Sequence, residues 1–413
     1  MITKLSLGNF RSIRDSEVPL GKITVLTGPN NSGKSSIIYG LLTLKNVVLN
    51  SNQAIDGFLN LGFLNLGGFA QSVFLKKETS EITLGIEVSE NEIKAQYTAM
   101  LGKKKSSLML RTFKPYDISL DIDVSFPYPA NKTANADVAG PFGRAQVVWN
   151  GISTNISVTP LAKGEMLIGA KEVADVTVDS ADSLNILQES INSPIEELRG
   201  VDFIPLRRGF TKPSYASVPM QAQLFNEDEL ASLLGANREL EGKVAHYLER
   251  MIDRVFQVRY IGGTANFNLQ ARDRTTGLVC DLVNEGFGTN QLVTILTKCL
   301  REEVSTVCIE ESEIHLHPEL MDKLVDVFVR IAQDEGKNFI ISTHSEHIVL
   351  SLLNKVAQNR IKPEDVCIYY LSKEGKETKI ERQEVNDKGQ IKGGLKGFYE
   401  TELKQVKEFF SIS

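Results

Sequence analysis

Gly28-Pro29-Asn30-Asn31-Ser32-Gly33-Lys34-Ser35 places glycines, a lysine and a hydroxyl at the spacing G-x-x-x-x-G-K-[ST]. A loop of this kind turns its backbone N–H groups and the positive end of the following helix toward an anion. The lysine reaches the outer phosphates and the hydroxyl ligates Mg²⁺. Both flanks that the motif requires are present: residues 22–27 (Lys-Ile-Thr-Val-Leu-Thr) predict a buried strand, and the Ile- and Leu-rich run over 34–49 predicts a helix. The segment therefore predicts nucleoside triphosphate binding, with Gly28, Asn30, Asn31, Ser32, Gly33, Lys34, Ser35 and Ser36 around the phosphates.

A second chemical cluster follows an apolar strand, Val304 to Ile309, which runs into Glu310-Glu311-Ser312-Glu313-Ile314-His315-Leu316-His317-Pro318. Strand ends are where α/β sheets place their ligands. Glu310 is placed to hold Mg²⁺ through water, and Glu311 to polarise the water that attacks a γ-phosphate. Two other readings stand beside this one: a solvated acidic turn, and a transition-metal site built from the His315/His317 pair with the carboxylates. A further apolar strand, 338–342, ends in Thr343-His344-Ser345, and His344 there can contact both the γ-phosphate and the attacking water. Of five histidines, four (His315, His317, His344 and His347) fall in this one stretch, which marks it as chemical.

The elements that must position these residues fit a globular chain. Its 413 residues predict two to three domains at about 150 residues each. With 42% hydrophobic and 24% charged residues the chain can bury a large core, and the net charge of −6 excludes a protein coated in positive charge. Four cysteines without a C-x-x-C pair, and no apolar run of about 18–20 residues, lead to the expectation of a cytoplasmic protein that does not enter the membrane. Residues 2–10 predict a strand. Short alternating runs between 80 and 180 (Glu81 to Val88, Ala95 to Leu101, Ser107 to Phe113, Ile118 to Val124, Ala145 to Trp149, Asn155 to Val158) predict an antiparallel β insertion. Helices are expected over 183–199 and from Glu227 to Phe256. An α/β stretch then follows: helix 289–303, strand 305–310, helix 319–335, strand 338–342, helix 345–358 and strand 365–371, with a strand and helix near 395–410 closing the chain.

This order of motifs resembles the ABC-type ATPase heads shared by SMC, RecF and overcoming-lysogenization-defect (OLD) proteins, and among them predicted bacterial AAA-type ATPases. The likeness rests on Leu7-Gly8-Asn9-Phe10-Arg11-Ser12, the phosphate loop, the Glu310–Pro318 block and Ser342-Thr343-His344-Ser345. It implies an α/β fold: a P-loop ABC-type ATPase head with an antiparallel β insertion and a helical lobe. The expected parts are 1–79 and 276–372 as the two halves of the head, 80–180 as the insertion, 181–275 as the helical lobe and 373–413 as a small tail domain. By resemblance, Lys34 and Ser35 are Walker A residues, Glu310 the Walker B acid, Glu311 the catalytic glutamate and His344 the switch histidine. Gln71, in Gly67-Gly68-Phe69-Ala70-Gln71, resembles the Q-loop residue that contacts Mg²⁺ and water, and Arg11 an arginine that approaches the nucleotide. Asn284-Glu285-Gly286-Phe287-Gly288-Thr289-Asn290-Gln291 resembles the ABC signature, so that Gly286, Gly288 and Thr289 form a second anion site facing the γ-phosphate of an opposite protomer. Arg207 and Arg208 sit in a Pro-Leu-Arg block and are candidates for phosphate or DNA contact.

The resemblance implies ATP and Mg²⁺ as cofactors, hydrolysis of ATP, and a homodimer or higher homo-oligomer of ATP-sandwiched heads. It also implies a separate effector, nuclease or toxin, in nucleic-acid processing or anti-phage defence, with DNA as a further partner and no membrane. Two alternatives remain open: an ATP-gated scaffold with negligible turnover, and a RecF-like DNA repair ATPase. OLD nucleases carry a Toprim domain after the head; roughly seventy residues follow His344, fewer than the ~100 of a small domain, so the expectation is a chain without that nuclease.

Overall fold

The computed structural model describes residues 1–114, 117–128, 134–140, 143–149, 157–160, 181–219 and 226–394. In chain order it opens with β1 (Ile2–Phe10), β2 (Ile13–Pro19) and β3 (Ile23–Thr27), followed by α1 (Lys34–Leu49), α2 (Ile55–Phe58) and α3 (Phe69–Ser72). Strands β4 (Ile82–Glu90), β5 (Ile93–Leu101), β6 (Ser106–Lys114), β7 (Ile118–Val124), β8 (Ala134–Gly140), β9 (Gly143–Trp149) and β10 (Ser157–Pro160) lead to α4 (Ala181–Arg199). The second half holds β11 (Val201–Ile204), β12 (Tyr215–Ala216), α5 (Glu227–Ala236), α6 (Arg238–Met251), β13 (Arg254–Tyr260), β14 (Asn266–Asp273), β15 (Val279–Asp281) and α7 (Phe287–Cys299). It ends with β16 (Thr306–Glu310), α8 (Pro318–Asp334), β17 (Asn338–Ser342), α9 (Glu346–Ala357), β18 (Val366–Glu374) and β19 (Glu377–Gln383). The element expected near 395–410 lies outside the described residues, as do 155 and 156 of the run expected over 155–158.

Two compact units result. The first comprises Met1–Leu20, Ser35–Val201 and Lys373–Lys379; the second comprises Gly21–Lys34, Asp202–Ser372 and the chain from Ile380 on. In the first, a six-stranded sheet has the order β2-β1-β4-β5-β6-β7. Residues 82–124, expected as a separate insertion, thus continue the N-terminal sheet. The reason lies in the pairing of β1 with β4, which sets Leu5 opposite Ile86 and Leu7 opposite Leu84, all buried. Without β4, β1 would be an apolar open edge. Helix α1 is buried over 36–48, and at Gly40 it comes so close that an added Cβ would lie 2.3 Å from Leu7 Cδ2. That approach explains a glycine in a helix interior despite its conformational cost.

The second unit is built on the six-stranded sheet β11-β16-β17-β3-β18-β19. Strands β16, β17, β3 and β18 pair in parallel. β3 and β17 are buried at every residue, the continuous apolar pattern of strands covered on both faces. β18 and β19 carry the sheet to Gln383, so part of the region expected as a tail domain is sheet edge. The 181–275 region holds strands as well as helices. The expected helix from Glu227 to Phe256 breaks at Asn237, whose side chain accepts from Leu240 N to cap α6, and Phe256 lies in β13. β13 and β14 pair antiparallel, setting the buried Val258 opposite Leu269 and Phe256 opposite Ala271. Among the described residues, no helix is long and apolar enough to cross a membrane.

A buried ionic cluster ties α7 to β11. Lys298, 1% exposed, donates to Asp202 Oδ1 at 3.2 Å and to Phe203 O at 2.7 Å, and Arg301 Nη1 donates to Asp202 Oδ2 at 2.9 Å. Burial holds Lys298 below the usual lysine range, and Asp202 opposes that shift. Removing the shared carboxylate leaves a buried cation without its counter-charge, so Asp202→Ala should cost about 3–5 kcal/mol in urea unfolding. With the lysine's folded pKa below its unfolded value, the folded state binds fewer protons as pH rises toward about 10, and part of the variant's lost stability should return there. An unchanged unfolding midpoint would refute the role given to Asp202.

Candidate functional site

The parallel register places three strand ends side by side. β17 lies between β3 and β16, pairing Ser342 with Leu26 on one side and with Glu310 on the other. Beyond the strands the pairing persists: Thr343 N donates to Leu26 O at 3.0 Å and Glu311 N donates to Ser342 O at 2.9 Å. The phosphate loop, the acidic strand end and His344 therefore share the C-terminal edge of one sheet, where α/β proteins bind ligands.

Loop geometry suits phosphate. Gly28 has φ +138°, and a Cβ there would lie 2.1 Å from Leu371 O on the neighbouring β18. Asn31 (φ 62°) and Gly33 (φ 105°) also occupy the left-handed half of backbone space, which is how the loop curls around an anion. Asn30 and Asn31 are exposed, Ser32 and Ser36 are buried, and Ser35 is half-buried. Lys34 Nζ donates to Gly28 O at 2.9 Å and Pro29 O at 3.0 Å, folding back over its own loop. Burial lowers its pKa, while Glu311, Glu313 and Glu310 pull it back up, so the lysine and the three acids act on one another.

Glu311 sits at φ +44°, a backbone conformation that L side chains rarely adopt. Its Oε1 is 3.8 Å from His344 Nε2, outside hydrogen-bond reach. Glu313 turns away from that pair: its Oε1 accepts from Thr343 Oγ1 at 2.5 Å and from His344 N at 2.9 Å, and its Oε2 is buried without a partner. The acidic loop thereby holds the backbone that carries His344. Burial and then Lys34 lower the pKa of His344, with Glu311 and Glu313 opposing, which favours the neutral imidazole. His317 Nδ1 accepts from Glu319 N at 3.4 Å as the N-cap of α8, and His315 packs edge-on against Phe287 at 4.7 Å between centroids. The two histidines considered as a metal pair are thus engaged separately, one in helix capping and one in ring packing. Among the described residues no group of three His, Cys, Asp or Glu side chains is arranged to hold a metal ion.

The signature-like residues belong to the same unit. Gly286 is the N-cap of α7 and has open space where a Cβ would be; Phe287 is 58% exposed; Gly288 lies against Leu316 and His315 O; Thr289 is half-buried. Gln71 and Arg11 belong to the other unit. Gln71 is exposed on α3, whose first N–H, from Phe69, is capped by Asp56 Oδ1 at 2.7 Å. Arg11 N donates to Ser72 O at 2.6 Å, and its guanidinium lies over Tyr39 at 5.3 Å. Motif spacing did not reveal Arg208 as part of the acidic strand end. Its Nη1 donates to Glu310 O and its Nη2 to Glu311 O, both at 2.8 Å, across a sequence separation that local pattern cannot show. Burial lowers its pKa to about 10, so it stays charged at neutral pH. A cleft of about 510 Å³ adjoins it, lined by Arg207, Phe287, Gln291 and His315 among others.

A parallel α/β sheet with a phosphate loop and an acidic strand end at its C-terminal edge is the core of a P-loop ATPase domain. Residues 1–349 match the AAA ATPase domain, and the chain belongs to that family. It is 23% identical over 390 residues to the OLD nuclease of Thermus scotoductus, with 91% of this chain and 65% of that protein aligned. The chain therefore spans about 65% of the length of the curated relative it matches. Among solved structures it is similar to the SMC head domain from Thermotoga maritima (11% identity, TM-score 0.44, 93% of this chain and 99% of that one). It is also similar to an SMC head bound to the C-winged helix domain of ScpA (12% identity, TM-score 0.49, 93% and 98%).

The depressed pKa of His344 has a sign that can be tested. The unfolded chain takes up a proton as pH falls through about 6.5 while the folded site resists it, so the contribution is present above that pH and lost below it. Chemical unfolding at pH 7.5 and 5.5 should show a smaller stability difference for His344→Gln than for the unmodified chain. Equal differences would mean that His344 titrates as if free.

Proposed function

We propose that the chain binds Mg-ATP and hydrolyses it, dimerises head to head around the nucleotide, and uses that cycle to switch a separate effector, a nuclease or toxin, in nucleic-acid processing or anti-phage defence. The observation that carries this reading is the convergence of Lys34, Glu310, Glu311 and His344 at the ends of three adjacent parallel strands. On this reading Lys34 moves from its loop carbonyls to the outer phosphates, exchanging two neutral acceptors for charged ones. Glu311 accepts the proton of the attacking water, and neutral His344 hydrogen-bonds the γ-phosphate and that water. The hydroxyl of Ser35 and the carboxylate of Glu310 are the hard oxygen donors that suit Mg²⁺, with Gln71 as a further contact. When bound, the ion neutralises phosphate charge.

Gly286, Gly288 and Thr289 would meet the γ-phosphate held by a second copy, as the open N-terminus of α7 suits an anion. Arg11 is assigned to the nucleotide as well. The OLD relative supports the link to nucleic acid, and DNA enters the proposal as a partner on that ground. The scaffold alternative differs in turnover alone, which makes hydrolysis the deciding measurement.

Lys34→Ala should abolish the thermal stabilisation by Mg-ATP, which in the unmodified chain reaches about 2.7 kcal/mol at a hundredfold excess over Kd. Glu311→Gln should keep that stabilisation, lower kcat by about 10²-fold or more, and accumulate an ATP-bound dimer in size-exclusion chromatography with light scattering. Turnover in the unmodified chain no faster than in Glu311→Gln, alone or with DNA, would leave the scaffold reading in place.

A further inference from the structure

The segment Pro205–Phe210, which holds the Pro-Leu-Arg block, is bonded to both the signature-like block and the acidic strand end. At one end, Phe210 N donates to Asn290 Oδ1 at 2.7 Å and Phe210 O accepts from Asn290 Nδ2 at 2.7 Å. A side-chain amide thus holds both main-chain groups of one residue, and the same Nδ2 reaches Leu282 O at 3.3 Å. Asn290 is 6% exposed and stands in the first turn of α7, within the signature-like block. Gly209, between the two anchor points, has φ +126°, and a Cβ there would press to 3.2 Å on Asn290 Oδ1.

At the other end, Arg208 Nη1 donates to Pro205 O at 3.1 Å and to Glu310 O at 2.8 Å, and Nη2 donates to Glu311 O at 2.8 Å. With its Nη atoms on main-chain carbonyls, Arg208 is committed inside the unit, and the phosphate or DNA contact expected for it has no support in this geometry. Glu311 is thereby held on both sides, its N–H by Ser342 O and its C=O by Arg208. Since Glu311 occupies left-handed backbone space, neighbours must fix it there. Only its side-chain torsions remain to aim the carboxylate.

We infer that Arg208 is a positioning residue for Glu311, and that the chain of contacts Asn290–Phe210–Gly209–Arg208 couples the signature-like end of α7 to the acidic strand end. This rests on the reading of Glu311 as the base in ATP hydrolysis. A planar guanidinium can span two successive carbonyls, whereas an ammonium is a single point of charge. An anion drawn onto the turn before α7 would shift Asn290, and with it the peptide of Phe210 and the fork of Arg208. Occupancy of one anion site would in this way be felt at the base of the other.

The test uses the full chain. Arg208→Gln should bind Mg-ATP within about threefold of the unmodified protein and lose about tenfold or more in kcat, because misplacing a reacting group by even 1 Å is costly. Arg208→Lys should fall between, and Asn290→Ala should reproduce the Arg208→Gln pattern of kept affinity and lowered kcat. The deciding variant combines Arg208→Gln with Glu311→Gln. If Arg208 acts through Glu311, the double variant turns over as slowly as Glu311→Gln alone, whereas losses that multiply would show an independent structural effect and overturn the inference. An Arg208→Gln kcat equal to that of the unmodified chain would overturn it as well. Should Arg208→Gln fail to fold by thermal melt, Arg208→Lys, alone and with Glu311→Gln, decides by the same rule. Failure of the underlying reading is distinguishable: the unmodified chain then hydrolyses no faster than Glu311→Gln, and the inference falls with it.

Discussion

The site depends on the parallel register of β3, β17 and β16. Those strands pair residue for residue up to Leu26, Ser342 and Glu310, and two main-chain bonds carry the register one step beyond the strands. A slip of one residue would turn each side chain to the opposite face of the sheet. The slip would be resisted, because it would move Val25, Ile309 and Ile341 out of the one core cluster in which they are buried. Hydrophobic packing thus sets the positions of the polar groups at the strand ends.

Electrostatics then distinguishes those groups. Lys34 is partly desolvated, and three acids offset the cost of keeping its charge. Burial, and then the same lysine, disfavour a charge on His344, which favours one cation beside a neutral imidazole over two cations. Beneath α7, Asp202 balances Lys298 and Arg301, so the helix that carries the signature-like turn is anchored by charge as well as by its apolar face. The net charge of −6 averages over all of this and reports none of it.

What could be read from residue order was whatever the chain encodes locally. The phosphate loop lies within eight consecutive residues between a strand and a helix, and the apolar runs ending at Glu310 and Ser342 are short and unbroken, so their elements were foreseen to within a residue or two. Continuity of β4–β7 with β1 was not visible, because alternating strands look alike whether they extend an existing sheet or form a new one. The break at Asn237 was hidden by helical spacing on both sides of it. The contacts that Arg208 makes with Glu311 and Asn290 with Phe210 were hidden for a different reason. They span eighty or more residues, and no periodicity records such a pairing.

The three acids at the end of β16 show how one strand end divides its labour. All three are carboxylates within four residues, and composition alone would give them the same role. Glu313 spends its side chain on Thr343 and on the peptide of His344, which makes it part of the scaffold. Glu310 and Glu311 do the reverse: their carbonyls are held by Arg208 while their carboxylates stay half-exposed. Fixing the main chain through its oxygens leaves the carboxylates available for a ligand, since a carboxylate engaged in holding the loop cannot also meet a phosphate, a metal or a water. A rigid backbone under free carboxylates is the arrangement that acid–base chemistry at a strand end requires.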